Sequence, residues 1–214
     1  MKRIIILNIV LIILFFSIDN NNFLNISSTE LLGTGYNYLD KSIHKYNYIL
    51  NISSIIMFIL FIQSSISSVD KLKYYIVSKG GYKALKLNLC KSSLKSVIII
   101  ILIKHVIYFF EYFMSSNLEF YYFDMISSFI TLITYSMILI IFKLMNIKDF
   151  ILSLIFISTI ILAQFLSYKH FYLSYIVIAS YNWRTMYLNI ILVKSILLVL
   201  CIFILFRFKK IDLL

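Results

Sequence analysis

Fourteen of the chain's 20 lysines and arginines fall in alternate gaps between six long apolar runs. They are Lys2 and Arg3, then Lys71, Lys73, Lys79, Lys83, Lys86, Lys91 and Lys95, then Lys143 and Lys148, and finally Arg207, Lys209 and Lys210. The intervening gaps hold Lys41, Lys45, Lys169 and Arg184 together with six of the nine acids, Asp19, Glu30, Asp40, Glu111, Glu119 and Asp124. Lys104 and Lys194 lie inside runs. Cationic loops of membrane proteins stay on the cytoplasmic face. The pattern therefore predicts a polytopic chain with both termini in the cytoplasm.

Composition points the same way. With 62% hydrophobic and 14% charged residues, the chain has too little polar surface to cover a water-soluble core of its size. In hydrocarbon every backbone N–H and C=O has to be satisfied internally, which leaves helices or a closed barrel. The runs are continuous rather than alternating, and that selects helices. The expected fold is thus all-α, one transmembrane domain over residues 1–214, with six transmembrane helices near 4–18, 49–69, 96–113, 125–142, 150–166 and 188–206. Ser17, Ile18, Asp19 and Asn20 offer no small-x-small cleavage site, so the first run is expected to be a retained helix.

Several functions are excluded by what is missing. Glycine occurs only at positions 33, 35, 80 and 81, so neither a GxxxxGK[ST] phosphate cradle nor a GxGxxG turn can be written. There is no HExxH, and His44, His105 and His170 have no Cys or carboxylate at ligand spacing, which argues against a metal or nucleophilic site. Cys90 and Cys201 imply no disulfide framework. The formal net charge of +11 is spread through short loops, where topology and anionic headgroups account for it without nucleic acid.

Two gaps carry structure of their own. Between 70 and 95 the chain is basic and is broken by Gly80-Gly81. It then places Tyr82, Leu85 and Leu89 on one helical face, with Lys79, Lys83, Lys86 and Cys90 on another. This is an amphipathic helix after an elbow, suited either to a partner protein or to an anionic lipid surface. Between 168 and 187, Tyr175, Tyr181, Trp183 and Arg184 belong to an aromatic-rich stretch around Ile176-Val177-Ile178. Its apolar centre is too short to cross a bilayer, so it reads as a re-entrant or interfacial hairpin, or else as an aromatic belt. Within the runs, Lys104 beside His105, Glu111 two turns further on, and Lys194 are the polar groups at costly depth. A central lysine costs about 2.5 to 3.5 kcal/mol and should face the bundle interior, a cavity or a partner, whereas Lys194, about five residues inside the outer end of its run, is placed to snorkel outward. A Glu111 to Lys194 contact is an attractive brace between the third and sixth helices.

The stretch YYIVSKGGYKALKLNLCKSSLKSV, residues 74–97, and the tail FRFKKIDLL, residues 206–214, together with the six-span layout, resemble the permease subunits of ABC-2-type exporters. Among these they are most similar to small bacterial permeases linked to bacteriocin or lantibiotic immunity. The resemblance implies a cytoplasmic ABC ATPase subunit that supplies the ATP and magnesium site this chain lacks. It also implies a second permease copy or a paralogue, and an amphipathic peptide as cargo at a bacterial cell membrane. The ATPase-coupling segment would be Lys79, Gly80, Gly81, Tyr82, Lys83, Leu85, Lys86 and Leu89. The alternatives are a non-transporting immunity or scaffold protein, a membrane peptidase needing a His–Cys pair, and the capture subunit of a vitamin importer.

Overall fold

Two buried lysines and a ladder of hydroxyls tie the helices to each other. The structure is a computed structural model that describes residues 36–37, 42–43, 45–115, 121–166, 170–176 and 183–207, with side chains chiefly in 56–106, 125–163 and 188–207. Among the described residues there are five α-helices: α1 (Lys45–Asp70), α2 (Lys73–Ser115), α3 (Tyr121–Leu144), α4 (Asp149–Leu166) and α5 (Trp183–Arg207). A short 3₁₀ helix, Phe171–Tyr175, stands between α4 and α5. A two-residue antiparallel ladder pairs Tyr36 with Ile43 and Asn37 with Ser42. The expected helix at 4–18 and the tail beyond 207 lie outside the described residues.

Helix α3 is the hub. It packs against α1, α2, α4 and α5, and it buries Leu132, Tyr135, Met137, Leu139, Ile140 and Leu144. Its apolar run accounts for this, because a helix hydrophobic on all sides is one that other helices surround. The helix ends at a turn in which Asn146 takes φ 58°. Asn tolerates this left-handed conformation better than most residues, and it closes the helix as a glycine would. Met145 N–H reaches back to Ile141 at 3.1 Å and Ile147 N–H to Phe142 at 3.3 Å. Asp149 then opens α4, where a carboxylate suits the positive end of the helix dipole.

Helix α2 departs from expectation. The basic stretch was expected as a separate helix leading into the run at 96–113, but the two are continuous from Tyr82 to Ser115. Helical turns also precede the elbow, from Lys73. Lysine, leucine and alanine are good helix formers, and nothing between Tyr82 and Ser96 breaks the pattern. The interruption is at Gly81, with φ 69° and ψ −177°, a backbone state that a side chain strongly disfavours. Gly80 is required for a different reason. A Cβ there would stand 2.6 Å from Ala84 Cβ.

Two helices are long and apolar enough to cross a membrane, Met125–Leu144 and Leu188–Arg207; Ile56–Asp70 and Asp149–Ala163 are shorter apolar helices. They differ in burial. Half of the first window is buried within the bundle, but only 17% of the second. Helix α5 leaves Leu188, Leu192, Ile196, Val199, Leu200 and Phe203 exposed along one side. A stripe of that length is foreign to a protein surface in water.

At the basic end, Lys143 of α3 bridges two other helices, 3.2 Å from Asp70 at the end of α1 and 2.7 Å from Asp149 at the start of α4. Gln63 adds a bond from Nε2 to the Asp149 carbonyl at 2.7 Å. Burial pushes the Asp149 carboxyl up, but the hydrogen bond and charge of Lys143 outweigh it and hold the group below the usual carboxylate range. A carboxylate depressed in this way stabilises the fold above its unfolded pKa, and that contribution is lost as pH falls through the folded value. Asp149→Asn is therefore expected to unfold at a lower temperature than wild type at neutral pH. It should also lose less stability than wild type on acidification below about pH 4. Differential scanning fluorimetry across pH checks this, and parallel acid profiles would reject it.

Candidate functional site

Two buried lysines from different helices meet on adjacent serines of the hub. Lys104 of α2 donates to Ser128 Oγ at 2.8 Å, and Lys194 of α5 donates to Ser127 Oγ at 2.8 Å. Both lysines are 2% exposed. Ser127, Ser128, Thr131, Tyr135 and Ser136 are all buried, and they run down one side of α3 at helical spacing. An ammonium removed from water needs charge-assisted hydrogen bonds. The serines provide them at a depth where the neighbouring side chains are largely apolar.

Helices α2 and α5 also have a second tie. Lys86 Nζ donates to the Leu205 carbonyl at 2.8 Å, in the last turn of α5. There it satisfies an orphan carbonyl at the negative end of the helix dipole. The bonds at Leu205 and at the serines connect the N-terminal part of α2 with the C-terminal end of α5, and deeper α2 with earlier α5. The two helices are therefore antiparallel.

The basic segment is divided between two sides. Leu85 and Leu89 are fully buried in the core, and Tyr82 packs half-buried against it. Lys79 and Lys83 are exposed, and Lys86 and Cys90 are half-buried. Three cations lie over tyrosine rings: Lys73 over Tyr74, Lys79 over Tyr75 and Lys86 over Tyr82, at 5.4, 4.5 and 5.4 Å. The apolar residues of the suggested coupling segment thus hold it to the bundle, while Lys79 and Lys83 face outward.

On the stretch between α4 and α5, Tyr135 in the middle of α3 donates its hydroxyl to the Ile176 carbonyl at 2.5 Å. Tyr135 also meets Phe156 of α4 edge to face, with centroids 5.4 Å apart. Tyr175 packs against the core, and the 3₁₀ helix touches both α4 and α5. The 3₁₀ segment is thus held to the bundle through Tyr175 and the Ile176 carbonyl, while the side chains of Tyr172 and Ile176 are exposed. Tyr181 lies outside the described residues, as do the side chains of Trp183 and Arg184, which open α5. His105 is exposed beside the buried Lys104. Glu111 is helical within α2, but its side chain lies outside the described residues, and so does the suggested contact with Lys194.

Ser127, Ser128, Tyr135 and Lys143 had not been singled out from the sequence. The signal for the first three was present as a polar stripe in an otherwise apolar helix. Among the described residues there is no group of three His, Cys, Asp or Glu able to hold a metal. No known protein family, curated protein or solved structure matches the chain.

Two predictions follow the geometry. In double-mutant cycles the pairs Lys104→Met with Ser128→Ala and Lys194→Met with Ser127→Ala should each show coupling of about 1 kcal/mol or more, as contacting polar groups do. Additive losses of thermal stability would remove those bonds from the account. Tyr135→Phe should weaken the attachment of the 3₁₀ segment by about 1 kcal/mol, seen as roughly fivefold faster maleimide labelling of a Leu173→Cys reporter.

Proposed function

We propose that this chain is a multi-pass protein of a bacterial cell membrane and the permease subunit of an ATP-driven exporter of the ABC-2 type. Its six helices would cross the bilayer with both termini in the cytoplasm, and its cargo would be an amphipathic antimicrobial peptide. What supports this best is the construction of α2. A lysine-rich segment after a glycine elbow continues without interruption into an apolar helix, and Leu85 and Leu89 anchor it to the bundle. A rigid lever of that kind passes a push from outside the membrane to the helices inside it. The exposed apolar stripes of α2, α4 and α5 suit lipid on their outer sides.

The outward cations Lys79 and Lys83 are the natural contact for a cytoplasmic ABC ATPase, which would bring ATP and magnesium. A second permease copy or a paralogue would complete the pathway. Since Leu85 and Leu89 face inward, Leu→Asp at either position is expected to act by detaching the lever. Each would bury an unpaired carboxylate.

Purification in mild detergent tests the reading. An ABC ATPase should co-purify with wild type, and Lys79→Glu with Lys83→Glu should reduce its recovery by about tenfold or more while leaving the yield of inserted permease unchanged. Such ion-pair reversals cost several kcal/mol at an interface. Recovery of the chain free of any ATPase, with immunity to a peptide intact, would favour a non-transporting immunity protein instead.

A further inference from the structure

The outward stripe of α2 carries cations at a depth where neighbouring helices present hydrocarbon. Lys91 and Lys95 are exposed on the same side as Leu94, Ile98 and Leu102. Their depth follows from two independent bonds. Lys86 meets the Leu205 carbonyl. Helical side chains lean toward the N terminus, and α2 begins at the basic end, so the Lys86 backbone stands level with Leu205 or deeper. Lys91 and Lys95 lie five and nine residues beyond it, about 8 and 14 Å further in. A tilt of 40° would shorten the larger figure only to about 10 Å.

The second bond joins Ser92 to Ser65, hydroxyl to hydroxyl at 2.7 Å. Ser65 lies five residues, about 8 Å, inside Asp70 at the end of α1. Both ladders therefore place Lys91 and Lys95 within the bundle's apolar girdle. At matching depth α5 turns Ile196 and Leu200 outward.

Three cations at this end are met by the protein: Lys73 by Asn146 at 3.2 Å, Lys86 by Leu205, and Lys143 by Asp70 and Asp149. Among the described residues, Lys91 and Lys95 have no hydrogen bond or ion pair. No Asp or Glu occurs from 71 to 110. The two lysines are one helical turn apart, with Cβ atoms about 5 to 6 Å from each other, a spacing that lets both ammoniums reach one anion.

We propose that Lys91 and Lys95 together bind the phosphate of an anionic phospholipid from the leaflet at the basic end, with its acyl chains lying along Leu94, Ile98 and Leu102. The lysine stems lean back toward that leaflet, and the headgroup is drawn inward to meet them. This inference rests on the membrane placement proposed above, but not on the exporter assignment.

The test uses the full chain in nanodiscs of phosphatidylcholine with phosphatidylglycerol as the minor lipid, ejected and weighed by native mass spectrometry. Wild type should retain phosphatidylglycerol enriched about tenfold over the bulk ratio, the order expected of two lysines near an anionic surface. Lys91→Gln with Lys95→Gln should return the ratio to bulk. Lys91→Arg with Lys95→Arg, and the distant pair Lys71→Gln with Lys148→Gln, should keep the enrichment. Enrichment that survives the Gln pair, or a bulk ratio in wild type that has inserted normally, overturns the lipid site alone. Capture of an acidic protein through these lysines with lipid at the bulk ratio also overturns it. Failure of wild type to enter nanodiscs at all overturns the membrane placement and the site with it.

Discussion

A lysine withdrawn from water has to be given acceptors, and in this protein that requirement decides which helices touch. Lys104 and Lys194 arrive from two different helices and end on neighbouring hydroxyls of α3. Serine suits the position because its short side chain leaves room for a long one from the next helix. The hub helix can then be apolar over most of its surface and still carry the stripe from Ser127 to Ser136 that fixes the register of α2 and α5. Hydrophobic packing alone would tolerate either helix sliding by a turn. Two ammonium groups committed to adjacent residues would not, because a slipped register strands a charge in a medium of low dielectric constant.

The same economy governs the connection between α1 and α2, where Ser65 and Ser92 exchange hydroxyl bonds and Ser92 also receives Ser96 at 3.3 Å. Small polar residues allow helix backbones to approach closely and to bond where they meet. At the basic end the polar ties become ionic, with Lys143 shared between two carboxylates from different helices.

Much of this was legible in the residues. The runs at 49–69, 125–142, 150–166 and 188–206 correspond to α1, α3, α4 and α5, extended by one to six residues, because long continuous apolar runs favour helices. The elbow at Gly80-Gly81 was visible because few positions without glycine can take φ 69°. The interior position of Lys104 followed from the cost of exposing it. The identity of its acceptor did not, since Ser128 is 24 residues away and many serines would serve. A backbone carbonyl as acceptor, as at Leu205 and Ile176, leaves no trace in the sequence at all. The continuity of α2 was obscured by charge: lysines at 83, 86, 91 and 95 mark a loop in a hydropathy profile, although lysine is a favourable helix residue.

Lys86 holds the last turn of α5 from a helix that begins far earlier in the chain. A torque on the lysine-bearing part of α2 would therefore be met by the final helix through Lys86 as well as by the core through Leu85 and Leu89. The two rods form a couple, pinned near one end by a carbonyl and deeper in by Ser127 and Ser128. A rotation of one obliges the other to follow or the pin to break.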